Sequence, residues 1–383
     1  MEKKKSIWLD VDPGHDDATA IMLALNLPNI NLLGVSTVHG NASAEHTALN
    51  AARCLFAFGA PPGRGVYVYP GAEQPLLRPT KHDPEIHGID GLGGVEGLPA
   101  TDDPLLLDYF RPDSSSAAAA DSPRGRVRAL EGMSESIRAA WRQGQGDKVT
   151  VVSCGPMTNI ALFASVYPDL LDAVEEFVFM GGGVGLGNRS AVAEFNILCD
   201  PHAAQIVLNT PVKKTMVPIN VTHTAIVTDE IHRRLLDGTI TRDCGSPDDP
   251  RPGTPPNPPI PKLNATTNLR HTLSTLISFF AASYKSTFGF TDGPPLHDAL
   301  TIAYVSCPSL FETTRHRVDV ELTGTHSMGE TVVDVWNYIS CDDTWGRNGK
   351  NCQVVDQLNV GGFFELFLEA VERCDGISPL NRK

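Results

Sequence analysis

Apolar runs and helical stripes alternate along the chain regularly enough to predict its elements. Residues 7–11 (I-W-L-D-V) read as a short buried strand and Pro13-Gly14 as a turn. Residues 16–25 follow as a helix with Ala18, Ile21, Met22 and Leu25 on one face. A second strand over 31–38, a helix over 43–58 and a third strand over 65–69 come next. Later, a helix over 128–143 leads to a strand over 148–153, whose unbroken V-T-V-V run predicts that both faces of its sheet are covered. The alternation continues with a strand over 176–180, a helix over 200–209, a strand over 212–218 and a helix over 228–237. A long helix over 264–288 precedes an apolar helix that opens at His297-Asp298. Strands over 317–323, 331–335 and 352–356 and an amphipathic helix over 360–371 close the chain. This β-then-α order predicts an α/β fold: a single open, mainly parallel twisted sheet with helices on both faces, joined by right-handed crossovers. No internal repeat interrupts it.

Three stretches break the pattern. Residues 104–127 are of low complexity, and residues 243–262 carry eight prolines. With a polar loop at 340–351, they predict one domain over 1–383 with surface insertions at about 104–127, 238–262 and 340–351. The interval 71–103 holds I-H-G-I-D-G-L-G-G and reads as a lid, a binding loop or a disordered spacer.

Charge narrows the choice of partners. Lys+Arg total 31 against 45 Asp+Glu, a formal net charge of −14, and no basic run exceeds Lys3 to Lys5, so nucleic acid is excluded as a partner. No apolar targeting segment follows those lysines and no run is long enough to span a bilayer, so no membrane partner and a cytoplasmic location are expected. The eight cysteines show no C-x-x-C spacing and read as reduced, mostly buried residues with no zinc site. Cys341 and Cys352 flank a polar loop and are a candidate bonded pair.

Four aspartates (Asp10, Asp12, Asp16, Asp17) fall within eight residues at the carboxyl end of the first strand, where open α/β sheets bind ligands. Carboxylates so close either hold protons or share a cation, and an all-oxygen set points to Ca²⁺ or Mg²⁺. A helix start flanked by solvated acids accounts for one aspartate better than for four bordered by apolar residues. Other polar clusters lie at predicted strand ends: residues 37–41 and the turn after Ser153. His297-Asp298 adds another at a helix start. Asp12, Asp17, Asp298 and a backbone carbonyl can hold the cation and leave room for water and a polyol. Asn41, Asn188, Glu194 and Asn196 suit a sugar, whose hydroxyls both donate and accept. The G-G-G-V-G-L-G-N-R stretch lacks the ending of a phosphate loop.

D-V-D-P-G-H-D-D-A, V-H-G-N, G-P-M-T-N-I-A, M-G-G-G, A-E-F-N-I-L-C-D-P-H-A-A, V-T-H and L-H-D occur in this order. Together they resemble the inosine-uridine preferring nucleoside hydrolases, over about residues 7–371 outside the three insertions. The resemblance implies Ca²⁺-dependent hydrolysis of the N-glycosidic bond of ribonucleosides, in nucleoside salvage, by a homodimer or homotetramer. It implies Asp12, Asp17, Asp298 and the carbonyl of Cys154 as metal ligands, with Asp12 also the general base. Asp16, Asn41, Glu194 and Asn196 then hold the ribose, Asn188 lies near the 5′-hydroxyl, and Met180 packs under the sugar. Because an imidazole titrates in the useful range, His297 is the first candidate to assist the leaving base and His87 the second. His15 is expected to serve the helix start, His223 to be structural, and Asp10 to orient the other acids.

One departure is T-H-S-M-G-E-T at 325–331, where the family often has T-R-G. Two other readings compete. A haloacid-dehalogenase-type phosphatase expects Thr or Val four residues after its first Asp, and Gly14 stands there. A non-catalytic nucleoside-binding relative does not need the complete acid set. The L-H-D histidine favours both uridine and inosine as substrates.

Overall fold

The computed structural model describes residues 3–62, 65–112, 126–238 and 265–382. Its strands are β1 (Lys5–Val11), β2 (Ile30–Thr37), β3 (Val68–Pro70), β4 (Val149–Ser153), β5 (Val174–Met180), β6 (Lys214–Val217), β7 (Phe311–His316), β8 (Val318–Val320), β9 (Thr331–Val333) and β10 (Cys352–Leu358). Eight of them form one sheet in the order β3-β2-β1-β4-β5-β6-β10-β7. All neighbours in it are parallel except β10 and β7. The chain builds outward from β1 to β3, then returns to the other side of β1 with β4. This reversal between β1 and β4 is the crevice at which doubly wound sheets bind ligands.

Strand periodicity sorts the core into two layers. Ile7, Leu9 and Val11 of β1 pack on one face with the helices His15–Asn26, Ala44–Ala57, Ala299–Ser306 and Val360–Ile377. Trp8 points the other way and joins Val151 of β4, Phe177 and Phe179 of β5 and the helices Ala129–Trp141, Thr158–Val166 and Pro201–Leu208. Both faces are therefore covered, which is why β4 reads as a continuous apolar run. No helix among the described residues is long and apolar enough to cross a membrane.

Some expectations change. β7 was not expected: its buried and exposed positions do not alternate strictly, as befits an antiparallel edge strand. The strand expected over 317–323 shortens to β8 and pairs with β9 as a separate two-stranded antiparallel sheet, so the strands do not all share one sheet. The region 104–127 begins with a 3₁₀ helix, Pro104–Tyr109, and buries Leu106, Tyr109 and Phe110, so its first residues belong to the core. Its 113–125 portion and nearly all of the 238–262 insertion lie outside the described residues. Cys341 and Cys352 are both free thiols, and Cys352 is buried within β10.

Candidate active site

The parallel strands place their carboxyl ends along one edge. Asp10 pairs in register with Ser36 of β2 and Ser153 of β4, and the Cys154 N–H donates to the Asp10 carbonyl at 2.8 Å. The turn after β1 and the turn after β4 thus lie side by side. Gly14 precedes the helix His15–Asn26, whose first turn carries Asp16 and Asp17. The N–H groups of Asp12 and Gly14 donate to the two Asp17 oxygens at 3.1 and 3.0 Å.

Asn41 binds this turn from β2's side. Its N–H donates to Asp12 Oδ2 at 2.8 Å, and its amide donates to the Asp12 carbonyl and to Asp17 Oδ2, each at 3.1 Å. A Cβ on Gly40 would stand 1.9 Å from Asp12 Oδ2, and one on Gly155 would stand 2.4 Å from Asp12 Oδ1. The Asp12 carboxylate therefore sits in a cradle that only glycines permit.

Asp16, Asp17 and Asp298 each bring a carboxylate oxygen within 4.8 Å of the other two. The expected metal set was Asp12, Asp17, Asp298 and the Cys154 carbonyl. The trio includes Asp16 and leaves out Asp12, whose Oδ1 nonetheless stands unpartnered in the same turn. Asp12 Oδ1, Asp16 Oδ1 and Asp298 Oδ1 are buried and have no hydrogen-bond partner. Burial raises the carboxyls of Asp12, Asp16 and Asp298 well above the usual carboxylate range, and neighbouring aspartates add to the shift. Asp17 is pushed up to about 6 by burial, with the Gly14 and Asp12 N–H groups opposing. Orphaned buried oxygens on clustered acids fit a divalent metal ion, which would satisfy them at once.

The remaining expected residues gather on the same cavity. Asp16, Asn41, His87, Cys154, Met180 and Asn188 line it, as do Glu194, Asn196, His297 and Asp298. The Asn196 amide donates to the Cys154 carbonyl at 2.9 Å and the Met180 carbonyl at 3.2 Å. The Cys154 thiol meets Thr301 Oγ1 at 3.5 Å, so its carbonyl and its side chain serve different surroundings. Glu194 accepts from the N–H groups of Gly182, Asn196 and Ile197 at 2.8, 2.9 and 3.2 Å, and burial raises it to about 7. Asn188 Oδ1 accepts from the Phe195 N–H at 2.9 Å.

The histidines divide by surroundings. His297 has Thr222 Oγ1 2.7 Å from Nδ1 and Tyr284 Oη 2.5 Å from Nε2, and burial holds its pKa well below the ordinary value. The His87 Nδ1 faces both the His15 N–H at 3.2 Å and His15 Nδ1 at 3.3 Å. Instead of serving only the helix start, His15 stacks on Phe279 at 4.9 Å and contacts the Gly93 carbonyl at 3.0 Å, tying the glycine-rich loop to the acid turn. His223 lies edge-on to His297, with ring centroids 5.4 Å apart. Asp10 accepts from Ser36 and Asn159.

Six lining residues escaped sequence reasoning: Asp83, Ile86, Arg189, Phe195, Tyr284 and Phe288. Tyr284 and Phe288, four residues apart in the helix Asn268–Phe288, have the spacing of an ordinary core stripe. Only the position of Arg189 beside Asn188 could have signalled it.

Known proteins resemble this chain along nearly its whole length. A family model described as inosine-uridine preferring nucleoside hydrolase matches residues 7–365. A probable ribonucleoside hydrolase of Dictyostelium discoideum is 34% identical over 97% of this chain and 96% of its own. The pyrimidine-specific ribonucleoside hydrolase RihA of Shewanella woodyi is 34% identical, covering 96% of this chain and 98% of its own. The solved purine-preferring ribonucleoside hydrolase from Gardnerella vaginalis superposes with a TM-score of 0.75 at 26% identity, covering 98% of this chain and 100% of that one.

Proposed function

The chain belongs to the inosine-uridine preferring nucleoside hydrolase family and is a ribonucleoside hydrolase acting on N-glycosidic bonds; from that premise we propose that it hydrolyses uridine and inosine to ribose and free base with Ca²⁺ bound. The observation that carries this reading is the set of buried, unpartnered oxygens on Asp16 and Asp298, which line the cavity, and on Asp12 in the adjoining acid turn.

Asp17, Asp298, Asp12 and the Cys154 carbonyl would hold the ion, with Asp16 beside them on a ribose hydroxyl. When bound, a hard divalent cation supplies a more acidic water and an anchor for a vicinal diol. Asp12, fixed by the Asn41 N–H, takes the proton from the water that attacks C1′. Asn41, Glu194 and Asn196 hold the ribose hydroxyls, Asn188 the 5′-hydroxyl, and Met180 supports the sugar. These contacts and the surrounding carboxylates favour the positive charge that develops at an oxocarbenium-like sugar. His297 assists the departing base, with His87 as the second donor.

Several features support the wider reading. The eight-stranded sheet draws strands from both ends of the chain, which supports one domain over 1–383. The exposed Trp336, Tyr338 and Ile339 offer an apolar surface for a homodimer or homotetramer. We assign the activity to cytoplasmic nucleoside salvage, for which ribose and free bases are reusable products. The test is a reducing-sugar assay on the common ribonucleosides with and without a chelator. Ribose release from uridine and inosine that stops on chelation and in Asp12→Ala is expected. Phosphate release from phosphate esters, or binding without turnover, would replace this reading.

A further inference from the structure

Arg189 and Asp83 form an ion pair that belongs to two cavities at once. The Arg189 Nε donates to Asp83 Oδ2 at 3.1 Å, and a second guanidinium nitrogen meets the same oxygen. Both side chains are largely buried, at 19% and 10% exposed. Together with Phe195 they line the inner cavity, with about 400 Å³ of empty space, and also an outer groove of about 790 Å³. The pair is therefore the partition between the two spaces.

Three separate segments meet at that partition. Asp83 stands at the start of the short helix Pro84–His87, and its N–H donates to the Asn41 carbonyl at 3.2 Å. Arg189 follows Asn188 in the glycine-rich loop after β5. The Arg189 guanidinium carbon lies 5.3 Å from the ring centre of Phe288, at the end of the helix that carries Tyr284. Each segment also carries a residue of the inner cavity: His87, Asn188 and Tyr284. The ion pair joins the first two segments, and the Arg189–Phe288 contact brings in the third.

We propose that the Arg189–Asp83 pair is a clasp on the cavity wall, opening to pass ligand between the outer groove and the inner cavity and closing to hold His87, Asn188 and Tyr284 around it. Neither residue is catalytic; both position others. This inference rests on the inner cavity being the nucleoside site, and it predicts a specific pattern of defects. Losing the clasp weakens the grip on substrate more than it slows the chemistry.

The test combines kinetics with hydrogen exchange on Arg189→Ala, Arg189→Lys and Asp83→Ala. Asp83→Asn is read in the same way if Asp83→Ala does not fold. For uridine and inosine, both alanine variants are expected to raise KM about tenfold, beyond any loss in kcat, and Arg189→Lys to recover part of the defect. Amide exchange is expected to quicken in residues 83–93 and 186–194 in both variants. A KM within about twofold of wild type, or unchanged exchange in those two segments, overturns the clasp. If wild-type protein releases ribose from no nucleoside, the kinetic arm rejects the substrate reading. The exchange arm still decides whether the pair holds the wall.

Discussion

The phenol oxygen of Tyr284 lies 2.5 Å from Nε2 of His297, while Thr222 Oγ1 stands 2.7 Å from the other ring nitrogen. Burial keeps this imidazole neutral at physiological pH, so the ring carries one proton between two hydroxyls. On the proposed role of His297, a proton or hydrogen bond offered to a leaving base would come from this three-residue array.

For His297→Ala, kcat on inosine should fall by about 10²–10³, the usual worth of a positioned acid. Tyr284→Phe, which keeps the packing but removes the hydroxyl, should lose about tenfold. Steady-state kinetics on both variants decide the matter. A His297→Ala enzyme within threefold of wild type would remove this residue from the chemistry.

The glycine cradle around Asp12 makes a second prediction. A methyl on Gly40 would overlap Asp12 Oδ2, and the carboxylate would have to swing away from the Asn41 N–H. Gly40→Ala should therefore lose about 10² or more in kcat, approaching Asp12→Asn, expected at about 10³. Circular dichroism and melting curves accompany the kinetics. An active Gly40→Ala enzyme would show that the fixed position of Asp12 is unimportant.

Much of this site was legible because its strongest signals are local. Four acids between two apolar runs, a Pro-Gly turn and a strand end sit within a few residues, and the strand-to-helix period locates them on one sheet edge. What stayed hidden depends on contacts between distant segments. Tyr284 looks like a core aromatic until the fold brings it to His297, and Asp83 is one acid in a polar loop until Arg189 reaches it. The membership of Asp16 in the carboxylate trio is likewise a matter of side-chain direction, which spacing does not encode. In the fold, β7 was hidden because an antiparallel edge strand carries a weak apolar pattern. β8 and β9 were assigned to the main sheet because each reads as a strand without revealing its partner.

Metal binding should be linked to pH with a defined sign. Without a cation, burial raises Asp10 to about 7 and Asp17 to about 6, against an ordinary value of 3.8. An acid whose folded pKa is raised contributes stability that is complete below its unfolded pKa and is lost as pH rises through the folded value. The stripped protein should therefore weaken between pH about 4 and 7, while the loaded protein keeps its carboxylates ionised and compensated. The drop in melting temperature on adding a chelator should be larger at pH 8 than at pH 5. Scanning fluorimetry with Ca²⁺ and with chelator across that range measures it, and a drop that shrinks with rising pH would contradict a cation shared by these acids.

At the opposite end of the sheet, Lys214 opens β6 fully buried, and its ammonium reaches three backbone carbonyls: Thr210 at 2.5 Å, Trp345 at 2.6 Å and Leu208 at 3.3 Å. The Trp345 contact ties the 340–351 loop to the sheet, assisted by Arg315, which donates to the Asp343 and Thr344 carbonyls at 2.9 and 2.7 Å and stacks on the Trp345 ring. A Lys214→Met substitution keeps the aliphatic volume but strips these carbonyls of their donor. The expected cost is about 3 kcal/mol of stability. Because strand β6 separates this cage from the acid turn, kcat/KM should remain at the wild-type level. Chemical denaturation together with limited proteolysis within residues 343–347 tests both halves. Full stability in Lys214→Met would mean the carbonyls find water instead, whereas lost activity in a folded variant would mean the loop communicates with the site.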